Sequence, residues 1–159
     1  MTEIRNGRWT ASLDEPYVVF LIGMRFNKLW KPHRWLPPFL AMPRMLAELS
    51  KHPELGYLGG NVWVGRTILT VQYWKSFEAL EGYAKSRDAA HLPAWAAFNR
   101  AVGANGDVGV FHETYRVGPG AYENIYVNMP AILFGNVGET FQATGGKVSA
   151  RGRMRTAAE

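Results

Sequence analysis

Ten residues near the N-terminus, Tyr17–Phe26 (YVVFLIGMRF), limit the fold more than any other segment of the chain. Their β-branched and aromatic side chains predict a strand that is apolar on both faces. Because a single layer of helices covers only one face of a sheet, a second layer must cover the other face. Any fold of this chain therefore has to bury this strand from both sides.

The segments that follow predict the order strand, helix, strand, strand, helix, strand. Pro37-Pro38 allows the first helix to begin no earlier than about Pro38, and Gly65-Arg66 predicts a tight hairpin. The order is the split βαβ pattern of a ferredoxin-like α+β domain. Two such sheets commonly pair face to face, so we expect a dimeric α+β barrel, a homodimer with an enclosed pocket in each protomer. The predicted strands are 17–26, 56–64, 67–74 and 107–117, and helices are predicted near Pro38, after Ser76 and at Pro93.

The length of 159 residues suits one domain, which we place at residues 16–135. An N-terminal arm at 1–15 precedes it, and a basic extension at 136–159 follows it. The end of the extension is rich in Gly, Ala and Arg without an apolar period, which predicts a flexible segment. Residues 147–159 carry four basic groups and one acidic group, and so hold +3 of the net charge of +5. Because the rest of the chain is nearly neutral, we expect no nucleic-acid partner.

The sequence also limits the compartment and the cofactor classes. No apolar run approaches the roughly 20 residues that cross a bilayer, and the first 16 residues lack the apolar core of a secretory signal. These features predict a cytoplasmic protein with no membrane partner. The sequence contains no Cys, which excludes disulfides, thiolate metal sites and a Cys nucleophile.

Aromatic residues make up 13% of the chain, and such a surplus is typical of a pocket or an interface as well as a core. In the strand 67–74, the alternation of side chains puts Thr70, Gln72 and Trp74 on one face. We expect Gln72, Trp74, His112 and Trp95, which belongs to the helix predicted at Pro93, to converge on an apolar cavity that carries a few polar groups. The predicted substrate-binding residues are Trp35, Trp63, Trp74, Trp95 and Phe98.

Histidines are the side chains whose unperturbed titration lies near neutrality, and the chain has four. Two of them stand beside prolines near predicted helix ends and are interpreted as surface or capping residues. His112, in the strand 107–117, is the candidate general base, with Gln72 or Asn128 orienting a substrate oxygen. His91 precedes the aromatic-rich helix predicted at Pro93. For His91 and His112 alike, a hydrogen-bonded histidine of the core or interface is the alternative interpretation.

Several segments resemble a known protein family: VVFLIGMRFNKLWKPHRW, VQYWKSFEALEGYAKS, HLPAWAAFNR, and GVFHETYRV with the following YENIYVNMP. They are similar to a monooxygenase-like family of the dimeric α+β barrel superfamily, which is named after a fungal enzyme of the fumagillin pathway. The resemblance covers roughly residues 16–135. It implies the barrel fold and an oxidoreductase that acts on a small hydrophobic substrate.

A second resemblance concerns the segments SFEALEGYAKSRDAAHL and VFHETY. They are similar to the C-terminal part of haem-containing aldoxime dehydratases, in which one His is the proximal haem ligand and a later His acts in the distal pocket. His91 and His112 stand at the matching positions, 21 residues apart. This resemblance implies a haem cofactor, with His91 as the axial metal ligand and His112 as the distal acid or base.

Three functions stay open from the sequence. The first is a monooxygenase-like enzyme that holds an electron-rich, hydrophobic substrate near dioxygen, without a required cofactor. The second is a haem-dependent dehydratase or isomerase. The third is a non-catalytic protein that binds a small apolar molecule in the same pocket, since ferredoxin-like domains carry many unrelated functions.

Overall fold

A computed structural model describes residues 3–86 and 105–155 of the chain. Within these ranges the backbone forms a main sheet of four strands, a second sheet of three strands, and helices. No helix within them is long and apolar enough to cross a membrane. The elements are β1 (Arg5–Ser12), β2 (Tyr17–Phe26), α1 (Pro32–Lys51), β3 (Tyr57–Trp63), β4 (Thr67–Trp74), α2 (Phe77–Lys85), β5 (Val108–Val117), β6 (Tyr126–Met129), β7 (Glu139–Gln142) and α3 (Ala150–Arg155), with short 3₁₀ turns at Pro53–Leu55, Leu133–Asn136 and Gly145–Val148.

The main sheet has the strand order β3-β4-β2-β5, and every neighbouring pair is antiparallel. With α1 between β2 and β3, and α2 after β4, this order is the split βαβ arrangement, which confirms the predicted ferredoxin-like α+β fold. The register places Val18 opposite Trp74 on one side and Arg116 on the other. Because side chains alternate along each strand, this row fixes which residues share a face. We call the face that carries Val18 and Trp74 the helix face, since α1 and α2 pack on it.

The helix face holds two apolar clusters, one at each end of β2. The first contains Val18 and Trp74, and Leu49 from the end of α1 packs on them. The second lies near the end of β2, and Trp35 and Phe39 from the first half of α1 pack on it. The helix α1 therefore runs along the sheet from one cluster to the other. The buried members are Val18, Leu49, Trp74, Leu80 and Tyr83 in the first cluster, and Met24, Phe26, Ile68 and Val108 in the second.

The opposite face of the main sheet is covered in part by the chain itself. The second sheet has the order β6-β1-β7, and residues of β1 and β6 pack on this face together with the turn Leu133–Asn136. At the centre, the rings of Tyr17 and Phe134 stack with centroids 4.9 Å apart. A partner's sheet was predicted to cover this face, whereas the N- and C-terminal segments of the same chain cover part of it.

These packing contacts change the interpretation of both termini. The predicted N-terminal arm, residues 1–15, contains β1. The predicted C-terminal extension, residues 136–159, contains β7 and α3. Arg153 holds the C-terminal segment through an ion pair with Glu123 at 2.7 Å and hydrogen bonds to the carbonyl oxygens of Lys147 and Val148. Composition did not predict regular structure in these terminal segments, because that structure depends on contacts with residues distant in the sequence.

The first helix begins at Pro32 and not at Pro38, so the prediction of its start was wrong. Pro32 occupies the first turn, where a missing N–H costs nothing. Pro37, Pro38 and Pro43 lie inside the helix, where each removes one backbone hydrogen bond. Packing offsets this loss, since the Trp35 ring lies 4.7 Å from that of Phe26.

One buried carboxylate joins the start of α1 to the start of β5. Asp107, which is 2% exposed, contacts Lys28 Nζ at 2.8 Å and Lys31 Nζ at 2.9 Å. Its carbonyl oxygen accepts hydrogen bonds from the backbone N–H groups of Asn27 and Lys28, each at 3.1 Å. Hydrogen bonds from Lys28, and then from Lys31, lower the pKa of Asp107 to about 2. The loop 27–31 is thereby fixed to the main sheet.

Candidate functional site

Two polar side chains interrupt the apolar packing of the helix face between its two clusters. Thr70 is fully buried and Gln72 is 6% exposed, and both lie on β4, at the interior of the sheet. Their neighbours across β2 are Ile22 and Phe20, respectively. A buried polar group costs free energy unless it is hydrogen-bonded. We call Thr70 and Gln72 the polar gap. Core packing alone would favour apolar residues at these positions, so the polar gap is the candidate binding site.

The amide of Gln72 has a defined orientation. Trp74 Nε1 donates a hydrogen bond to Gln72 Oε1 at 3.0 Å. Within residues 3–86 and 105–155, no hydrogen bond involves Gln72 Nε2. The amide nitrogen is therefore a donor that the described protein does not use.

The hydroxyl of Thr70 is a second unused group. Its Oγ1 is buried and has no hydrogen-bond partner in the described part of the chain. Thr70 was not among the predicted site residues, although the alternation of side chains along β4 puts it on the same face as Gln72 and Trp74. A polar pair within an otherwise apolar central strand is the signal that would have found it.

His112 lies across the sheet from the polar gap. It is on β5, directly opposite Ile22 of β2, and Ile22 is in turn opposite Thr70. Since neighbouring strands are about 4.8 Å apart, His112 and Thr70 are separated by about 10 Å along this row. The ring of Phe20 lies 5.8 Å from that of His112. Phe20 and Ile22 thus form an apolar floor between an imidazole and two unused polar groups.

This arrangement has a defined chemical capacity. The exposed imidazole of His112 can accept a proton from a molecule that lies on the floor. Gln72 Nε2 and Thr70 Oγ1 can donate hydrogen bonds to an oxygen of the same molecule, which stabilises negative charge on that oxygen. No charged side chain belongs to this group of residues, so it suits a neutral or weakly acidic ligand.

Some of the other predicted site residues do not lie near His112. Trp74 and Trp35 lie on the helix face, but each is part of an apolar cluster. Trp63 pairs with Leu69, and the alternation of side chains therefore puts it on the opposite face of the sheet. Asn128 lies in β6 of the second sheet, where its Oδ1 accepts a hydrogen bond from the backbone N–H of Gly7 at 2.9 Å. Two residues were predicted to orient a substrate oxygen. Gln72 lies on the same face of the main sheet as His112, whereas Asn128 lies in the second sheet.

Three predicted residues, His91, Trp95 and Phe98, lie outside the described residues. Haem ligation by His91 therefore stays a prediction. Within residues 3–86 and 105–155, no group of three or more His, Cys, Asp or Glu side chains is arranged to hold a metal ion.

Comparisons with known proteins match the sequence of this chain to a family. The chain matches the family model described as "Monooxygenase af470-like" over residues 17–134. Monooxygenase af470 of Aspergillus fumigatus is 31% identical over 158 residues, a match that covers 85% of this chain and 55% of the relative. The chain thus spans about half the length of that relative.

Solved structures of aldoxime dehydratases share the fold. One has a TM-score of 0.64 at 14% identity and covers 79% of this chain and 38% of its own. Another has a TM-score of 0.65 at 16% identity and covers 85% of this chain and 40% of its own. At this level of identity the likeness extends to the fold alone.

Proposed function

The chain belongs to the af470-like monooxygenase family, and from that premise we propose that it is an oxygenase-type enzyme for a small hydrophobic substrate. The substrate lies on the floor formed by Phe20 and Ile22. One observation carries this proposal: the polar gap holds two unused polar groups across this apolar floor from an imidazole. A core that served stability alone would not need this arrangement.

Each side chain has one role in the proposed reaction. His112 removes a proton from an acidic C–H group of the substrate. The resulting anion carries its charge on a neighbouring oxygen, which accepts hydrogen bonds from Gln72 Nε2 and Thr70 Oγ1. Dioxygen is the oxidant: a CH₂ group and O₂ give a carbonyl group and water, so one oxygen atom enters the product.

Labelled dioxygen tests this proposal. Anthrone is a suitable probe because its CH₂ group is acidified by conjugation with a ring carbonyl, and the molecule is planar and apolar. We expect incorporation of the label into anthraquinone at a rate above that without protein, and loss of the excess rate in His112→Ala. Binding of the probe without any excess rate, for anthrone and for hydroxylated analogues, would favour the non-catalytic binding protein.

A haem-dependent dehydratase or isomerase is the second candidate. The fold shared with aldoxime dehydratases favours it, as does the position of His112 beside the floor. In this candidate His91 would hold a haem that supplies coordination chemistry for an aldoxime, and His112 would move a proton on the substrate. An absorption spectrum after addition of haem tests this candidate: a Soret band that is lost in His91→Ala supports it, and the lack of any band contradicts it.

A homodimer is part of the same proposal. Beyond the area that the second sheet covers, the opposite face of the main sheet has exposed aromatic side chains: Phe111 is 38% exposed and Tyr115 is 50% exposed. A second copy of the chain would bury them. Sedimentation equilibrium should give a dimer that Phe111→Asp converts to a monomer. A wild-type monomer at micromolar concentration would contradict the dimer without affecting the proposed chemistry.

A further inference from the structure

One end of the main sheet exposes apolar side chains to solvent. Trp30 is 74% exposed and Val64 is 71% exposed, the two highest values among the large apolar side chains that the structure describes. Both lie at the same end, because the backbone N–H of Phe26 donates to the carbonyl of Arg66 at 3.0 Å. This bond joins the loop after β2 to the hairpin between β3 and β4. We call the exposed side chains of this end the apolar tip: Leu29, Trp30, Leu36, Leu40 and Val64.

The loop that carries Trp30 is held in place. Lys28 and Lys31, on either side of Leu29 and Trp30, both contact the buried carboxylate of Asp107. Trp35 Nε1 donates to the carbonyl oxygen of Leu29 at 3.1 Å. Exposure of Trp30 is therefore built into the packed structure. An indole held in water forgoes hydrophobic stabilisation, and a surface of this kind marks an interaction site.

Among the described residues, the charge around the apolar tip is mainly positive. Residues 16–47 contain five basic residues and no acidic residue, and Arg66 on the hairpin adds another. Asp107 offsets only one of these charges. We call four basic side chains at this end the basic rim: Arg25, Lys28, Lys31 and Arg66.

We propose that this end of the molecule docks on the surface of a membrane that contains anionic lipids. The apolar tip enters the boundary between headgroups and acyl chains, where indole side chains are favoured. The basic rim contacts the lipid phosphates. The sequence analysis expected no membrane partner because no segment is long enough to span a bilayer, but a surface contact needs no spanning segment. The site for the hydrophobic substrate is independent of this contact.

The same features argue against two other occupants. A second copy of the chain would bring an equal basic rim against this one, and like charges repel. An acidic protein is a less suitable occupant of the apolar tip. The apolar side chains there project separately from a loop, a hairpin and a helix, and do not form a groove. Lysine is also depleted in protein interfaces.

Co-sedimentation of the full chain with vesicles tests the proposal. Vesicles of phosphatidylcholine alone are compared with vesicles that contain about one quarter phosphatidylglycerol. We expect binding to the anionic vesicles, with Trp emission shifted to shorter wavelength, and little binding to the neutral ones. The double variant Trp30→Ser/Val64→Ser should bind at least about tenfold more weakly. Val148→Ser is the matched control, because Val148 is 48% exposed but lies in the C-terminal segment, and it should bind as the wild type does.

Charge variants test the basic rim separately. Arg25→Gln and Arg66→Gln leave the Asp107 contacts intact, and each should weaken binding to anionic vesicles about fivefold. Equal binding to neutral and anionic vesicles, or wild-type binding by the double variant, would overturn the proposal. So would a loss of self-association in the double variant without any lipid binding by the wild type. None of these outcomes depends on catalysis.

Discussion

Trp74 fixes the side chain of Gln72, two residues earlier on the same face of β4, through a hydrogen bond of 3.0 Å from the indole Nε1 to the amide Oε1. An indole N–H can only donate, so the amide must present its oxygen to Trp74. The amide nitrogen of Gln72 then points away from the Trp74 indole and can donate a hydrogen bond to a ligand. Trp74 is fully buried in the first apolar cluster. It is therefore a positioning residue that acts through Gln72.

The substitution Trp74→Phe tests this positioning role. It removes the N–H and leaves Gln72 Oε1 without its donor, so the amide is free to turn. We expect kcat/KM for the probe to fall about tenfold, and the free energy of unfolding to fall by about 1–3 kcal/mol. The measurements are steady-state kinetics and urea denaturation. Leu80→Val in the same cluster is the control, because it should lower stability while kcat/KM per folded molecule stays the same.

The substitution Thr70→Val separates function from stability. Valine has nearly the shape of threonine, and the hydroxyl it replaces has no partner among the described residues. We therefore expect stability to stay the same or to rise by about 1 kcal/mol. The rate of the probe reaction should fall about tenfold or more, since a donor to the anionic oxygen is lost.

Thr70→Ser should give the opposite pattern. It keeps the hydroxyl and removes a buried methyl group, so we expect activity close to that of the wild type and stability lower by about 1 kcal/mol. Full activity in Thr70→Val would contradict a role of this hydroxyl in substrate binding.

His112→Gln should abolish most of the activity without unfolding the protein. The loss of a general base typically lowers a rate by about 10²–10⁴-fold. The side chain is exposed on β5, so stability should change by no more than about 0.5 kcal/mol. Glu113→Gln is the control, because the adjacent side chain points to the opposite face of the sheet and should leave the rate unchanged. An active His112→Gln variant would remove His112 from the mechanism.

The sequence predicted which side chains of the main sheet share a face, because the alternation of side chains along a β-strand is local. The alternation along β4 is enough to put Thr70, Gln72 and Trp74 on one face. The order of elements is then enough to place β5 beside β2. These inferences need no knowledge of long-range packing, and the register of the main sheet agrees with them.

The remaining features depend on contacts between residues far apart in the chain. The start of α1 at Pro32 is decided by the packing of Trp35 on Phe26, which overrides the local preference of the prolines. The second sheet forms because β1 pairs with β6 and β7, more than a hundred residues later. That pairing also removes Asn128 from the site. Full burial of Thr70 depends on the tertiary packing of the helix face and has no local signature.

Asp107 makes stability depend on acid pH in a specific direction. Its pKa is lowered to about 2 in the folded protein, against about 3.9 for an unperturbed aspartate. A carboxyl group with a lowered folded pKa contributes stability that is fully present above the unfolded pKa and is lost as the pH falls through the folded pKa. The loss should therefore occur between about pH 4 and pH 2.

The substitution Asp107→Asn removes this contribution, because the amide cannot form ion pairs with Lys28 and Lys31. Thermal unfolding should show a lower Tm for the variant near neutral pH. The difference in Tm from the wild type should shrink below about pH 4 and nearly vanish at about pH 2. Glu78→Gln is the control, since Glu78 is 77% exposed in its contact with Arg116 and exposed ion pairs contribute little. A difference in Tm that stays constant over this whole range would mean that Asp107 stabilises the loop through its shape and neutral hydrogen bonds and not through its charge.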